Sequence, residues 1–136
     1  MAGATYVLDK TYKVVEAAGI AKFRAVVPGT NDGDCKLPTA ANQLSFGIAQ
    51  ETQSKQNENV VVRKYGISRA YAKGTVTKGD YLEVGDTAGG LRKADLATVP
   101  GAATLHHILG IAETSANDGE ICFVFLSPGP VVMPVS

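Results

Sequence analysis

The sequence predicts a mainly β fold, a small antiparallel β-barrel or β-sandwich built from two related β units with little helix. Three observations support this prediction: short apolar runs rich in β-branched and aromatic residues, turn-forming clusters between them, and a Gly-Ile-Ala phrase that occurs twice. A chain of 136 residues has room for one globular domain, or for two small lobes that share a core.

Strands are predicted wherever Val, Ile, Phe and Tyr cluster in short runs, because such side chains suit a pleated, half-buried surface. These runs are YKVV (12–15), FRAVV (23–27), LSFGIA (44–49), NVVVRKYG (59–66), YLEVG (81–85), HILGIA (107–112) and EICFVFL (120–126). Gly, Asn and Asp accept the backbone angles of tight reversals. They predict turns at PGTNDGD (28–34), KGD (78–80), GDTAGG (85–90) and ANDGE (116–120). TAANQL (39–44) and ADLATV (94–99) each favour at most one helical turn, since proline adjoins both.

The two copies of Gly-Ile-Ala lie in similar surroundings, which indicates an internal duplication. FGIAQET (46–52) and LGIAET (109–114) are each preceded by a strand, a turn and a short strand, and are followed by a polar turn and a further strand. We expect Phe46 and Ile48, and likewise Leu109 and Ile111, to point inward, with Gly and Ala leaving room for a neighbouring strand. The β domain is predicted over 14–126, with units at about 16–66 and 74–126.

The two ends of the chain are predicted to be contact segments outside this domain. The N-terminal arm, 1–13, contains a short apolar piece without an obvious partner in a duplicated core, and the Pro-rich tail, 127–136, contains apolar residues among prolines. Proline disfavours ordinary sheet pairing, so an apolar tail of this kind is expected to lie along another surface. The candidate partner-binding residues are Thr5, Tyr6, Val7, Leu8, Val131, Val132 and Met133.

Charge and composition exclude several classes of function. Thirteen basic and thirteen acidic side chains cancel, and no stretch concentrates Lys and Arg, so direct nucleic-acid binding is not expected. The N-terminal stretch carries charges and no apolar run approaches the length of a membrane span, which predicts a protein made and kept in a cytoplasm, without a membrane partner. Cys35 and Cys122 lack the spacing of a zinc site or a disulfide framework and are interpreted as structural thiols.

No catalytic constellation, metal site or cofactor site is predicted. GDTAGG (85–90) has the Asp-Thr start of an aspartic-protease loop, but Ala88 stands where that motif needs Gly, so a hairpin turn organised by Asp86 is the simpler interpretation. His106 and His107 are adjacent in a predicted strand, face opposite sides and are expected to be partly exposed. An enzyme of the aspartic-protease type stays as an alternative.

The second half of the chain resembles a family of tailed-phage proteins, the capsid cement or head-decoration proteins. The resemblance is carried by KGDYLEVGDTAGGLRKA (78–94) followed by HHILGIAETSANDGEICFVFL (106–126), and it extends over about 14–126. It implies a β-rich, non-enzymatic protein that is synthesised in the host bacterial cytoplasm. Such a protein binds the major capsid protein on the outer surface of the expanded head and associates with itself as a homotrimer.

The resemblance further implies that such a protein stiffens the shell against internal DNA pressure. In this hypothesis the arm at Thr5–Leu8 adds to a neighbouring strand edge or lies on the major capsid protein, and the tail contributes to contacts between copies. A tail or connector component of the virion is an alternative, as is a receptor- or glycan-binding module. The latter is less well supported because the chain has no Trp for a sugar-stacking platform.

Overall fold

The computed structural model describes residues 7–95 and 104–133. These residues form a β protein with no helix among them. The prediction of a mainly β fold, a small β-barrel or β-sandwich built from two related units, is confirmed, and the structure shows a closed barrel with further strands. The first predicted helical turn is a series of turns and bends, and most of the second lies outside the described residues. The strands are β1 (Leu8–Val14), β2 (Ala25–Pro28), β3 (Asp34–Lys36), β4 (Gly47–Ala49), β5 (Asn59–Tyr71), β6 (Tyr81–Val84), β7 (Leu91–Lys93), β8 (Thr104–Ala112) and β9 (Ile121–Met133).

The first unit is a closed five-stranded barrel. Its strands follow the order β1-β3-β2-β4-β5, and β5 pairs back onto β1 to close the ring. The β1–β3 pair is parallel and the other pairs are antiparallel. Closure removes the free strand edges that would otherwise invite aggregation. The interior is filled by apolar side chains, among them Tyr12, Val14, Val26, Val60 and Val62.

The second unit repeats the pairing of the first. Strands β7-β6-β8-β9 pair in the same order and direction as β3-β2-β4-β5, and β9 pairs with the second half of β5. A parallel bridge between Ala72 and Leu91 corresponds to the parallel β1–β3 pair. The long strand β5 therefore belongs to both units: we call β1 to the first half of β5 unit 1, and the second half of β5 to β9 unit 2.

The glycine of each Gly-Ile-Ala phrase lies against the backbone of the next strand. A Cβ atom added at Gly47 would overlap the carbonyl oxygen of Arg63 on β5, and one added at Gly110 would overlap that of Phe125 on β9. Gly47 also has a φ of 142°, in the range that disfavours L side chains. The duplication thus preserves a close strand contact that requires glycine.

Unit 2 packs against the outer face of unit 1. Ala25 and Ile48 point away from the interior of unit 1 and belong to the same apolar cluster as the core of unit 2. At this contact the N–H of Ala25 donates to the carbonyl of Gly89, in the β6–β7 hairpin, at 2.8 Å. The Arg24 guanidinium lies 4.0 Å from the ring centroid of Tyr71. The GDTAGG turn therefore joins the two units.

Asn42 makes a second connection between the units. Its side chain donates to the carbonyl of Leu105 at 2.7 Å and accepts from the N–H of His107 at 2.9 Å, both on β8. Its own backbone N–H donates to the carbonyl of Val84 on β6 at 2.8 Å. Asn42 has a φ of 59°, which Asn tolerates better than most residues.

Both ends of the described chain pair within the protein. Residues 8–13, assigned to the arm from sequence, lie in β1, which closes the first barrel. The expectation that the prolines keep the tail out of the sheet is wrong for residues up to Met133, because β9 pairs with β8 as far as that residue. The pairing of β9 with β5 ends at Leu126, so Pro128 and Pro130 lie where one side of β9 needs no N–H donor.

Candidate interaction surface

An open apolar face covers the outside of unit 2. Antiparallel register aligns Ile67 on β5 with Phe125 on β9, Phe125 with Ile111 on β8, and Ile111 with Tyr81 on β6. Residues paired across antiparallel strands share one side of the sheet. Ile67 is 43% exposed, Ile111 40% and Tyr81 48%, while Phe125 is half-buried. We call this row, with its neighbours Phe123 and Ile121 on β9, the apolar face.

A cationic side chain lies within this face. The Arg69 guanidinium is 5.4 Å from the ring centroid of Phe123 and 5.8 Å from that of Phe23, so it is held against aromatic rings. Tyr65 contacts Phe125 edge-on, with ring centroids 5.4 Å apart. A cleft of about 160 Å³ opens between Phe23, Arg69 and Phe123. The surface is therefore largely apolar, and Arg69 adds a delocalised positive charge to it.

The interpretation of the sequence missed this face, although the segment ICFVFL contains a signal for it. A strand with one solvated face alternates apolar and polar residues, whereas Ile121, Phe123 and Phe125 alternate with buried residues that are also apolar. An antiparallel strand that is apolar on both faces is expected to be buried on both faces. In this structure the outward side chains of β9 are partly exposed instead.

The candidate partner-binding residues lie elsewhere and are not brought together on this face. Thr5 and Tyr6 lie outside the described residues. Val7 is exposed, and Leu8 is exposed at the start of β1, where its backbone pairs with Tyr65. The backbones of Val131, Val132 and Met133 pair with β8, and their side chains lie outside the described part of the structure. Their partner contacts remain predictions.

A buried charged cluster lies between β6, β7 and β8. The Glu83 side chain is 1% exposed, and its Oε2 is 2.6 Å from the Arg92 Nη2. Its Oε1 is 2.7 Å from the His106 Nδ1. His106 is buried rather than partly exposed as expected, because its ring turns toward this carboxylate; His107 is half-buried. The cluster ties three strands together, since a buried carboxylate needs such partners.

A polar groove of about 510 Å³ lies on unit 1, between the β2–β3 loop and the side chains of Lys10, Tyr12, Phe46 and Lys64. Lys64 Nζ donates to the Tyr12 hydroxyl at 2.6 Å, and the rings of Tyr12 and Phe46 are stacked at 4.9 Å. The groove is also lined by the carboxylate residues of the loop, so charges of both signs face it. Its charge pattern therefore selects neither an anion nor a cation.

Asp86 and the two cysteines have structural surroundings. Asp86 Oδ1 accepts from the N–H groups of Ala88 at 3.1 Å and Gly90 at 2.9 Å, as the hairpin interpretation predicts. Burial, and secondarily the charges of Asp34 and Glu16, raises the pKa of Cys35 to about 11. Burial also raises the pKa of Cys122. Both thiols are buried, unpaired with each other, and unreactive in their protonated form.

Two further features are absent from residues 7–95 and 104–133. These residues contain no group of three or more His, Cys, Asp or Glu placed to hold a metal ion. Nor do they contain a helix of the length and apolarity needed to span a membrane.

Together these features define a β protein in which a closed five-stranded barrel is joined to a second unit with the same pairing order, and this second unit has an open apolar face. The structure is similar to that of the N base of the head fiber protein gp8.5 of bacteriophage phi29, with a TM-score of 0.63 and 17% sequence identity. The similarity covers 90% of this chain and 95% of the phage chain. No protein-family model and no curated protein matches the sequence. At this identity the likeness establishes that the two proteins share a fold.

Proposed function

We propose that this protein is a structural component of a tailed-phage virion that binds the outer surface of the head as a decoration, or cement, protein. The observation that carries the proposal is the fold, which is shared over nearly the whole of both chains with the base of a phage head fiber. The resemblance of residues 78–94 and 106–126 to head-decoration proteins supports the same role. A likeness of fold alone does not transfer function, so the proposal rests on both lines together.

The proposed mechanism is non-enzymatic. Unit 1 and unit 2 share β5 and pack against each other through Ala25 and Ile48, and the apolar face provides contact area for association. Many copies on one shell add their modest affinities, because each bound copy stabilises the assembled state by mass action. The shell is then expected to resist internal pressure better with the protein than without it.

The role of the N-terminal residues before β1 is part of the proposal. Thr5 and Tyr6 precede β1, so a strand added to the capsid protein would continue from a strand already fixed in the barrel. Deleting residues 2–6 spares β1, whereas a longer deletion would remove part of a barrel strand. We expect the 2–6 deletion to weaken head binding while leaving the thermal midpoint of unfolding unchanged.

A second candidate function is the anchoring base of a head fibre, which the likeness to the N base of a head fiber protein favours. Both candidates bind the head, and they differ in their effect on the shell. A cement protein raises the temperature or the osmotic shock at which the heads rupture. A fibre base binds at its sites without changing that resistance.

The test is a binding assay of the purified full chain against expanded heads that lack it, followed by thermal rupture of the same heads. Saturable binding in many copies, with a raised rupture temperature, is the expected result. Binding without a change in rupture temperature would favour the fibre base. Absence of binding to heads that are otherwise intact would contradict the proposal and favour a tail or connector component.

A further inference from the structure

The contact between unit 1 and unit 2 shows how one unit of this fold packs against another. On unit 1, the β2–β4 pair presents Ala25 and Ile48 outward, and the β6–β7 hairpin of unit 2 covers them through Gly89. This contact is heterologous, because the outer face of one unit meets the hairpin of the other. Each unit has both a face and a hairpin, so one face and one hairpin are left over.

The leftover face is the apolar face of unit 2. The pair Tyr81–Ile111 occupies the register position in unit 2 that the pair Ala25–Ile48 occupies in unit 1. Ala25 and Ile48 are fully buried, whereas Tyr81 and Ile111 are 48% and 40% exposed. The face that unit 2 covers on unit 1 thus has an uncovered counterpart, and that counterpart carries larger apolar side chains.

The leftover hairpin is the β2–β3 loop of unit 1. Gly29 and Asp34 close this loop with the same backbone hydrogen bond that joins Gly85 and Gly90 in unit 2. Gly33, with a φ of 82°, corresponds to Gly89, with a φ of 85°. A Cβ added at Gly89 would lie 2.8 Å from the carbonyl oxygen of Ala25, whereas a Cβ added at Gly33 would meet nothing within 4 Å.

We infer that a second copy of this chain covers the apolar face, in a head-to-tail contact where the Gly33 loop of one copy lies on the Tyr81–Ile111 face of the next. The contact continues the one already formed between units 1 and 2. In it the Tyr81 N–H takes the place of the Ala25 N–H and donates to the Gly33 carbonyl of the other copy, which already accepts from the Lys13 N–H of its own chain at 2.8 Å and uses its second lone pair. A contact of this kind repeats from copy to copy and closes into a ring when the rotation allows, as a homotrimer would.

Charge and area agree with a second copy as the occupant. The positions that correspond to Arg24 and Tyr71, which touch between the units, are Asp80 and Lys13, and these carry opposite charges. Five exposed side chains of the apolar face, at about 80 Å² each, give roughly 400 Å², within the range of the largest and often functional apolar patch of a protein. The chain has no net charge, so copies do not repel one another strongly.

Two substitutions separate the face from the loop. Ile111→Glu places a charge on the face. Gly33→Asn adds a side chain where the corresponding Gly89 has no room, and Asn tolerates a positive φ. The controls are Leu44→Glu, at an exposed leucine away from the face, and Gly119→Asn. Gly119 has a φ of 81° with open space around it, and its counterpart in unit 1 is Asn57 with a φ of 69°.

The experiment measures the mass of the full chain and its variants by light scattering on a sizing column, with circular dichroism to show that each is folded. We expect the wild type and both controls to associate, and Ile111→Glu and Gly33→Asn to be monomers. An equal mixture of the two monomeric variants should form a dimer with one of each, because the intact loop of one still fits the intact face of the other. Fusion of one variant to a small tag identifies the mixed species.

Three results would overturn the inference. A wild type that stays monomeric at roughly 100 μM would show that the face is not covered by a second copy with useful affinity. Association of Gly33→Asn equal to that of the wild type would exclude the loop. A mixture that stays monomeric while the wild type associates would indicate a symmetric face-to-face contact. The assay contains no phage heads, so its outcome is independent of the proposed function.

Discussion

At the scale of single residues, the two copies of Gly-Ile-Ala are alike in their glycines and alanines and differ in their isoleucines. Gly47 and Gly110 both lie against a neighbouring carbonyl and both following alanines are buried. The isoleucines differ: Ile48 is fully buried against unit 2, whereas Ile111 is 40% exposed. A register shift between Ile108 and Gly110 also buries both Ile108 and Leu109, so the inward expectation fails for Ile111. Ile48 is buried, but it points away from the interior of unit 1 and packs against unit 2.

Replacing Gly110 by Ala adds only one methyl group but should destabilise the protein strongly. The added methyl group overlaps the Phe125 carbonyl, so β8 and β9 must separate, at a cost of about 3 kcal/mol in the free energy of unfolding. Ile111→Ala, at the next position but on the exposed face, should cost less than about 1 kcal/mol. Urea unfolding followed by circular dichroism measures both. Equal urea midpoints for the two variants would show that β8 and β9 move apart at Gly110 without a loss in the free energy of unfolding.

At the scale of the strands, the two units are built on one pairing scheme with different interior chemistry. Val27 on β2 pairs with Lys36, and the corresponding residues on β6 and β7 are Glu83 and Arg92. Where unit 1 buries a valine, unit 2 buries a carboxylate and satisfies it with Arg92 and His106. The cluster links β7 and β8 through β6, and these two strands do not pair with each other in the sheet order.

Glu83→Gln should weaken the second unit. The substitution keeps the shape but removes the charge that Arg92 and His106 face, and the loss of hydrogen bonds to a buried charged group costs about 2 kcal/mol. Thermal and urea unfolding of the variant measure the loss. Glu113→Gln is the matched control, because Glu113 is exposed and should change stability by less than about 0.5 kcal/mol. A Glu83 variant as stable as this control would mean that the cluster contributes nothing to the fold.

At the scale of the whole molecule, the two units are expected to fold as one cooperative body. They share β5, and the core of unit 2 extends onto Ala25 and Ile48 of unit 1. Removing either unit would expose this shared apolar surface and leave half of β5 unpaired. If one unit unfolds, the other loses the contacts between the units that stabilise it, so we expect both to unfold together.

The two cysteines report on the two units separately, since Cys35 lies in β3 of unit 1 and Cys122 in β9 of unit 2. Both are buried with raised pKa values, so they react with a thiol reagent after unfolding. We expect labelling of both peptides, measured by mass spectrometry over a urea series, to rise at the same midpoint. The fully unfolded chain serves as the reference for complete reaction. Labelling of Cys35 at clearly lower urea than Cys122 would show independent units.

The pattern of residues was enough to predict a β protein, most of its strands and turns, and an internal duplication. These features follow from local preferences: Val, Ile and Phe in short runs, Gly and Asp at reversals, and glycine where strands approach closely. The hairpin role of Asp86 could be predicted because its partners, Ala88 and Gly90, are neighbours in sequence.

Long-range contacts decided what local preferences could not. Whether the outward isoleucine of a repeated phrase is covered depends on a second unit packing there, and that is so for Ile48 but not for Ile111. Likewise, His106 is buried because strand pairing brings Glu83 to it, and β9 accepts prolines because β5 ends its pairing at Leu126. Burial is a property of three-dimensional neighbours, so the same residues acquire different roles in the two halves of this protein.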